Sequence, residues 1–474
     1  MFKKLDSSNF FLFFFLICIT GYVTSPSNAS TLHHVTHGEP IKKTVGVLFG
    51  GTPWLITPQR SKSFFVDEDC MGAEECSQKM GFNLIKENIE LPQSPEALES
   101  KMKYIISKVS EFKKAGYTYF VPVFYLRENC CSQEFPLSFY HTTEVPAKDS
   151  PIGKGFMRIP VRENQNLTRY YDINLEEMRL QIFTHTYTVT KRLLKEVQLP
   201  IQYVLLGNET DGGFYKGFDA QLYPVRYAGA PAHIDLTRMI YKEARKGVEK
   251  AYKEHSLNRP YFLLHHMIDP NQTTKEILDN IKEHNKDLTF DLFGMSLYPN
   301  ARATPKPEDL FNKIIEIGNQ TGLPWSIQEF GIAQEKAPGE PGKSPYWVWN
   351  YHMDFWLDGT PLVEDFEKDT LPISELKLRW RILQADTLSL LFGKLLKEKK
   401  FFGALYLSPE SAVISAFSKN ETLLIHPPAK QYRLSLWEYR ENVSQTENSP
   451  PSRIVKAYTT IKKCSEKLAG YITP

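Results

Sequence analysis

From residue 43 to residue 407, short apolar runs alternate with longer stretches whose apolar positions recur at helical spacing. The runs at 43–49, 81–85, 117–126, 201–207, 261–266, 290–297, 325–330 and 401–407 have the length and β-branched or aromatic content of buried strands. Between them, residues 95–115 place Leu98, Met102, Ile105, Ile106, Val109 and Phe112 on one helical face. Further helices are predicted at 175–197, near 237–254, near 274–284, near 307–320 and near 375–398. Near-continuous apolar strands separated by helices are the signature of a parallel sheet covered on both faces.

Eight such units predict an α/β fold, a (β/α)8 TIM barrel, rather than an open doubly wound sheet. The turn after the first strand, Gly50-Gly51-Thr52-Pro53, is too short to cradle a dinucleotide. Past the eighth strand, alternating stretches within 410–450 suggest a small C-terminal β excursion, a hairpin or an appended sheet. Extended βα-loops are expected near 129–174 and 333–374.

The N-terminus changes the picture. Lys3 and Lys4 precede the apolar segment 10–23, and Ser27-Asn28-Ala29 supplies small residues for cleavage. This pattern predicts a signal peptide over residues 1–29 and a barrel domain over 30–474, hence a secreted, periplasmic or extracellular protein without stable membrane insertion. Five cysteines then remain, of which Cys70 and Cys76 are close enough in sequence to bridge a short loop. Cys130 and Cys131 are adjacent, so each would look elsewhere, Cys464 included. No paired CxxC suggests zinc, and no metal or cofactor is expected. A net charge of +2 gives no argument for a nucleic-acid partner, and the chain is read as a monomer.

In a barrel, chemistry sits where strands end at the C-terminal face. The fourth strand ends in Asn208-Glu209, the fifth in His265-His266, the sixth in Ser296-Leu297-Tyr298, and the seventh carries Glu329. One acidic strand end would be unremarkable, since such a group commonly caps a helix. Glutamates on strands four and seven, however, face each other across a closed eight-stranded mouth. Carboxyls about 5–5.5 Å apart suit a retaining glycosidase, one protonated to serve the leaving oxygen and one ionised to attack carbon. The His265-His266 pair lacks a third ligand at a telling spacing, so one ring is expected in the cleft and the other against the core or a helix. Trp54 after strand one, and Trp347 in the aromatic segment 344–356, are candidate sugar-stacking platforms; core packing is their bland alternative. Asn208-Glu209-Thr210 also fits a glycosylation sequon, but a glycan there would fill the expected cleft.

These motifs carry a resemblance. Asn208-Glu209 and Glu329 resemble the paired strand-end acids of glycoside hydrolase clan A, the retaining TIM-barrel glycosidases. Within it, "LLGNETDGG" and "FDLFGMSLYP" are similar to motifs of the endo-β-1,4-galactanases. The resemblance implies Glu209 as acid/base, Glu329 as nucleophile, Asn208 as a substrate-binding helper, Tyr298 as an orienter of Glu329, and His265 as the strand-five histidine. Three strand ends depart from it. Strand two lacks the Arg that holds the nucleophile in many clan members. Strand three ends in "FYLRENCC", where Arg127 is the candidate to compensate, and strand eight lacks the Trp that floors the reactive subsite. The implied function is a secreted retaining hydrolase of β-linked poly- or oligosaccharides. The alternative is a carbohydrate-binding barrel without efficient turnover, which the departures favour and the two glutamates oppose.

Overall fold

The computed structural model describes residues 32–48, 66–67, 70–71, 73–91, 94–126, 142–162, 168–208, 210, 231–268, 272–286, 290–297, 307–330, 388–407, 437–439, 452–454, 462–463, 465–468 and 470–472. Eight parallel strands close into a barrel: β2 (Thr44–Leu48), β5 (Leu84–Glu90), β6 (Tyr119–Tyr125), β10 (Val204–Leu205), β11 (Phe262–Met267), β12 (Leu292–Leu297), β13 (Trp325–Phe330) and β14 (Phe401–Leu407). These are the eight runs of the apolar pattern, in order around the barrel, and β14 returns to pair with β2.

The helices α2 (Pro95–Lys114), α3 (Leu175–Glu196), α4 (Pro231–Glu254), α5 (Thr274–Asn285) and α6 (Pro307–Gln320) follow the strands as crossovers. Their starts are written locally. The Ser94 hydroxyl accepts from Ala97 N ahead of Pro95, and Asn174 accepts from the amides of Glu176 and Glu177. Thr273 and Glu276 form a reciprocal capping box at α5. A short α1 (Ala73–Lys79) precedes β5 and carries Cys76, fully buried and disulfide-bonded. Of the helix expected near 375–398, residues 388–395 are helical, and the rest lies outside the described residues.

Two cores result. One lies between strands and helices and contains Ile85, Ile89, Phe124, Val204, Leu206, Trp325 and Ile327. The other fills the barrel, with Leu84, Val121, Val123, Tyr203, Leu205, Leu263, Leu292 and Phe402. Six of the eight barrel strands therefore divide their apolar residues between the two cores, while β2 and β13 give theirs to the outer one. The N-terminal barrel mouth is closed by residues 34–42. Val35 and Ile41 are buried in the barrel core, Val35 N donates to Ile201 O, and the Tyr261 hydroxyl bonds Gly38 N and Glu39 O. β1 (Ile41–Lys42) pairs there with β17 (Tyr471–Ile472) near the chain's other end.

The excursion after β6 is not merely a long loop. β7 (Thr142–Val145), β8 (Phe156–Arg162) and β9 (Thr168–Asn174) form an antiparallel sheet, with Arg158 paired to Asp172 through two bonds of 2.7 Å. The expected C-terminal β excursion is represented by β15 (Trp437–Tyr439) pairing antiparallel with β16 (Ser452–Ile454). A further small pair, β3 (Val66–Asp67) and β4 (Cys70–Met71), lies between β2 and α1.

Candidate active site

The inward row of β5 runs Leu84, Lys86, Asn88, while Ile85 and Ile89 face the helices and Glu87 pairs with Lys108 of α2. Lys86 is wholly buried, and its Nζ donates to three oxygens: Asn208 Oδ1 at 3.1 Å, Gln328 O at 3.4 Å and Glu329 Oε1 at 3.0 Å. An ammonium has three N–H groups, so these acceptors account for all of them. A buried cation survives only with such partners.

The departure at strand two is thereby corrected. Arg is indeed missing, but strand two is not without a cation: Lys86 grips Glu329 from the inward face. The sequence signal was a Lys in register with Leu84 on the inward face of β5.

Glu329 reaches Lys86 because β13 is irregular. Ser326 and Gln328 point into the barrel, where Gln328 Nε2 donates to the Tyr203 hydroxyl at 3.0 Å and to Ser326 Oγ at 2.7 Å. Strict alternation would turn Glu329 outward with Trp325 and Ile327. Instead the register slips: Met295 pairs with Ile327, but Ser296 pairs with Glu329. This bulge re-aims the carboxylate to the interior, where only 5% of Glu329 is exposed. Gly294 makes room alongside, since a Cβ there would lie 2.4 Å from Gln328 Cγ.

A second irregularity places Asn208. Tyr203 and Leu205 face the barrel core, and Gly207 then takes a φ of 126°, which favours glycine. Past that turn the Asn208 side chain meets Lys86 and His265. Because Lys86 only donates, the atom it meets is the amide oxygen. That oxygen also takes His265 Nδ1 at 3.0 Å, so Nδ1 carries the hydrogen, and a neutral ring accepts from Ser296 Oγ through Nε2 at 2.9 Å. The Nδ2 hydrogens of Asn208 are then the ones it can offer a ligand.

The network spans five barrel strands and their ends. His266, the other member of the pair, faces outward, its ring 5.2 Å from that of His284 on α5. His266 thus packs against a helix, one of the two placements expected for the second ring, while His265 turns into the barrel. Among the described residues, no group of three or more His, Cys, Asp or Glu is gathered to hold a metal.

Glu209, Tyr298, Arg127, Trp54 and Trp347 lie outside the described residues. The neighbours of Glu209 are nevertheless fixed. Asn208 is engaged as above, and Thr210 is buried, bonding the Tyr241 hydroxyl and donating to His265 O at 3.3 Å.

Residues 164–337, which contain the elements of this network from strand four to strand seven, match the sequence model of glycosyl hydrolase family 53. The chain is a glycosyl hydrolase, similar over that segment to family 53. Among solved structures, this glycosyl hydrolase is similar to a fungal β-1,4-galactanase at 13% identity, over 89% of this chain and 99% of that one, with a TM-score of 0.52. It is also similar to the Ignisphaera aggregans GH53 catalytic domain at 15% identity, over 80% and 88% of the two chains, with a TM-score of 0.48. The first likeness establishes a shared TIM-barrel fold. No curated protein matches the glycosyl hydrolase in sequence. Among its described residues, no helix is long and apolar enough to cross a membrane.

Proposed function

We propose that the protein is a secreted retaining glycoside hydrolase that cleaves β-linked poly- or oligosaccharides by double displacement. One observation carries this reading: a single buried ammonium, Lys86, grips both Glu329 and the residue that precedes Glu209. In the first step a Glu329 carboxylate oxygen attacks the anomeric carbon. The bond from that carbon to the leaving oxygen breaks, and Glu209 gives the leaving oxygen its proton. In the second step Glu209, now ionised, takes a proton from water. The water oxygen displaces Glu329, and the anomeric configuration is restored.

Asn208 donates to a sugar hydroxyl through Nδ2, Tyr298 orients Glu329, and His265 fixes Asn208. Trp54 and Trp347 stack on sugar faces, and Arg127 lines the end of strand three. β-1,4-Galactan is the first substrate to try, because the structurally similar fungal enzyme is a β-1,4-galactanase. Cleavage after Ala29 releases one barrel domain over 30–474, disulfide-containing and monomeric, whose extended loops near 129–174 and 333–374 shape the cleft.

The test is hydrolysis of a β-glycan panel by the wild type and by Glu209→Gln and Glu329→Gln variants. Each variant is expected to lose at least ~1000-fold in kcat. A 2-deoxy-2-fluoro glycoside with a good leaving group should add one glycosyl mass to Glu329 in the wild type and none in the Glu329→Gln variant. A wild type inert on every glycan while binding one tightly would favour the carbohydrate-binding reading instead.

A further inference from the structure

The clamp uses Lys86, but the next inward residue of β5 has no assigned role. Asn88 lies two positions further toward the C-terminal mouth, about 6.6 Å along the strand. Burial falls along this row: Leu84 and Lys86 are fully buried, while Asn88 is partly exposed. Its backbone stands opposite Val123 of β6, whose side chain belongs to the barrel core. Asn88 is thus the first residue of the row with exposed surface, one inward position beyond the cation that holds Glu329.

Among the described residues, its buried Oδ1 has no hydrogen-bond partner. A buried amide oxygen without a donor costs about 1–3 kcal/mol, so a fold keeps one where something else supplies the hydrogen. At the mouth of a carbohydrate cleft, the donor of fitting chemistry is a sugar hydroxyl. We propose that Asn88 is a substrate-contacting residue whose side-chain amide accepts a hydroxyl hydrogen from the sugar unit seated over Glu329. The assignment rests on the glycoside hydrolase reading and adds to it a specificity contact from strand two. Lys86 does not supply the hydrogen that Asn88 Oδ1 lacks, because its three are already engaged.

The experiment measures kcat/KM for an aryl β-glycoside that the wild type hydrolyses, and for its analogues deoxygenated at each ring hydroxyl in turn. Wild type and Asn88→Ala are compared, with Asn88→Asp retaining an acceptor of the same shape. One analogue is expected to be cut about 10-fold less well than the parent by the wild type. Asn88→Ala should lose a similar factor on the parent and nothing further on that analogue, while Asn88→Asp keeps the discrimination. Unfolding midpoints confirm that both variants fold, and a misfolded Ala variant leaves the Asp comparison standing. If an active wild type and Asn88→Ala discriminate the analogues equally, the Asn88 contact is overturned while the hydrolase reading survives. If the wild type hydrolyses no glycoside at all, the hydrolase reading fails and takes the contact with it.

Discussion

Lys86 has no solvent contact and three oxygen partners, so its removal should have two separable effects. Lys86→Met leaves the Glu329 carboxylate buried without its cation. A stability loss of about 3–5 kcal/mol is expected in urea denaturation, with activity reduced at least ~100-fold. Lys86→Arg restores the charge but places a wider, planar group in a space shaped for an ammonium, so partial rescue of activity is expected. Equal activity in Met and Arg variants would show that charge at this position is irrelevant. Burial also answers the sequon question. Asn208 and Thr210 are only 8% and 2% exposed, and both are hydrogen-bonded. Peptide mass analysis after expression in a glycosylating host should find Asn208 unmodified.

On the scale of elements, α3 presses His185 into the outer core, edge-on to Phe124 of β6 with ring centroids 6.2 Å apart. Burial pushes its pKa down to about 4 from the ordinary 6.5. The unfolded chain therefore binds this proton more readily than the folded one. Stability from the neutral ring is fully present above pH ~6.5 and is lost as pH falls toward 4, up to about 3 kcal/mol. His185→Leu should flatten the fall in unfolding free energy between pH 7 and 4. An unchanged slope would place the acid sensitivity elsewhere. The helix pattern located α3 to within one residue, since its apolar positions and Asn174 cap are local signals. The β7–β8–β9 sheet was hidden, because its strands are partly polar and their pairing depends on an arrangement no local period reports.

For the whole molecule, the decisive element is the floor of the barrel. Residues 34–42 cap the N-terminal mouth, with Ile41 fully buried and β1 tied to β17. A chain beginning at residue 30 keeps this plug, whereas one beginning at residue 43 exposes Leu84, Tyr261 and Phe402 at the barrel bottom. Ile41→Ala should cost about 2–5 kcal/mol in unfolding free energy while leaving kcat near the wild-type value, because the site lies at the opposite mouth. A lowered kcat with unchanged stability would contradict that separation of floor from site.

The sequence by itself determined the barrel. Eight apolar runs and their intervening helices are one-dimensional patterns that require a parallel sheet buried on both faces, and eight units without a dinucleotide-binding turn favour closure over an open doubly wound sheet. It also determined that Glu329 sits on strand seven and Asn208-Glu209 at the end of strand four, because motifs survive as strings. Which way those side chains point was decided only in three dimensions. Alternation from Trp325 and Ile327 turns Glu329 outward, and alternation from Val204 and Leu206 does the same to Asn208. A register slip in β13 and a positive φ at Gly207 reverse both. Lys86 became legible for the same reason: a lone inward lysine acquires meaning only when closure of the barrel brings it within 3.1 Å of residues 122 and 243 positions away. Periodicity assigns a residue to an element, but the closing geometry of the sheet assigns it a partner.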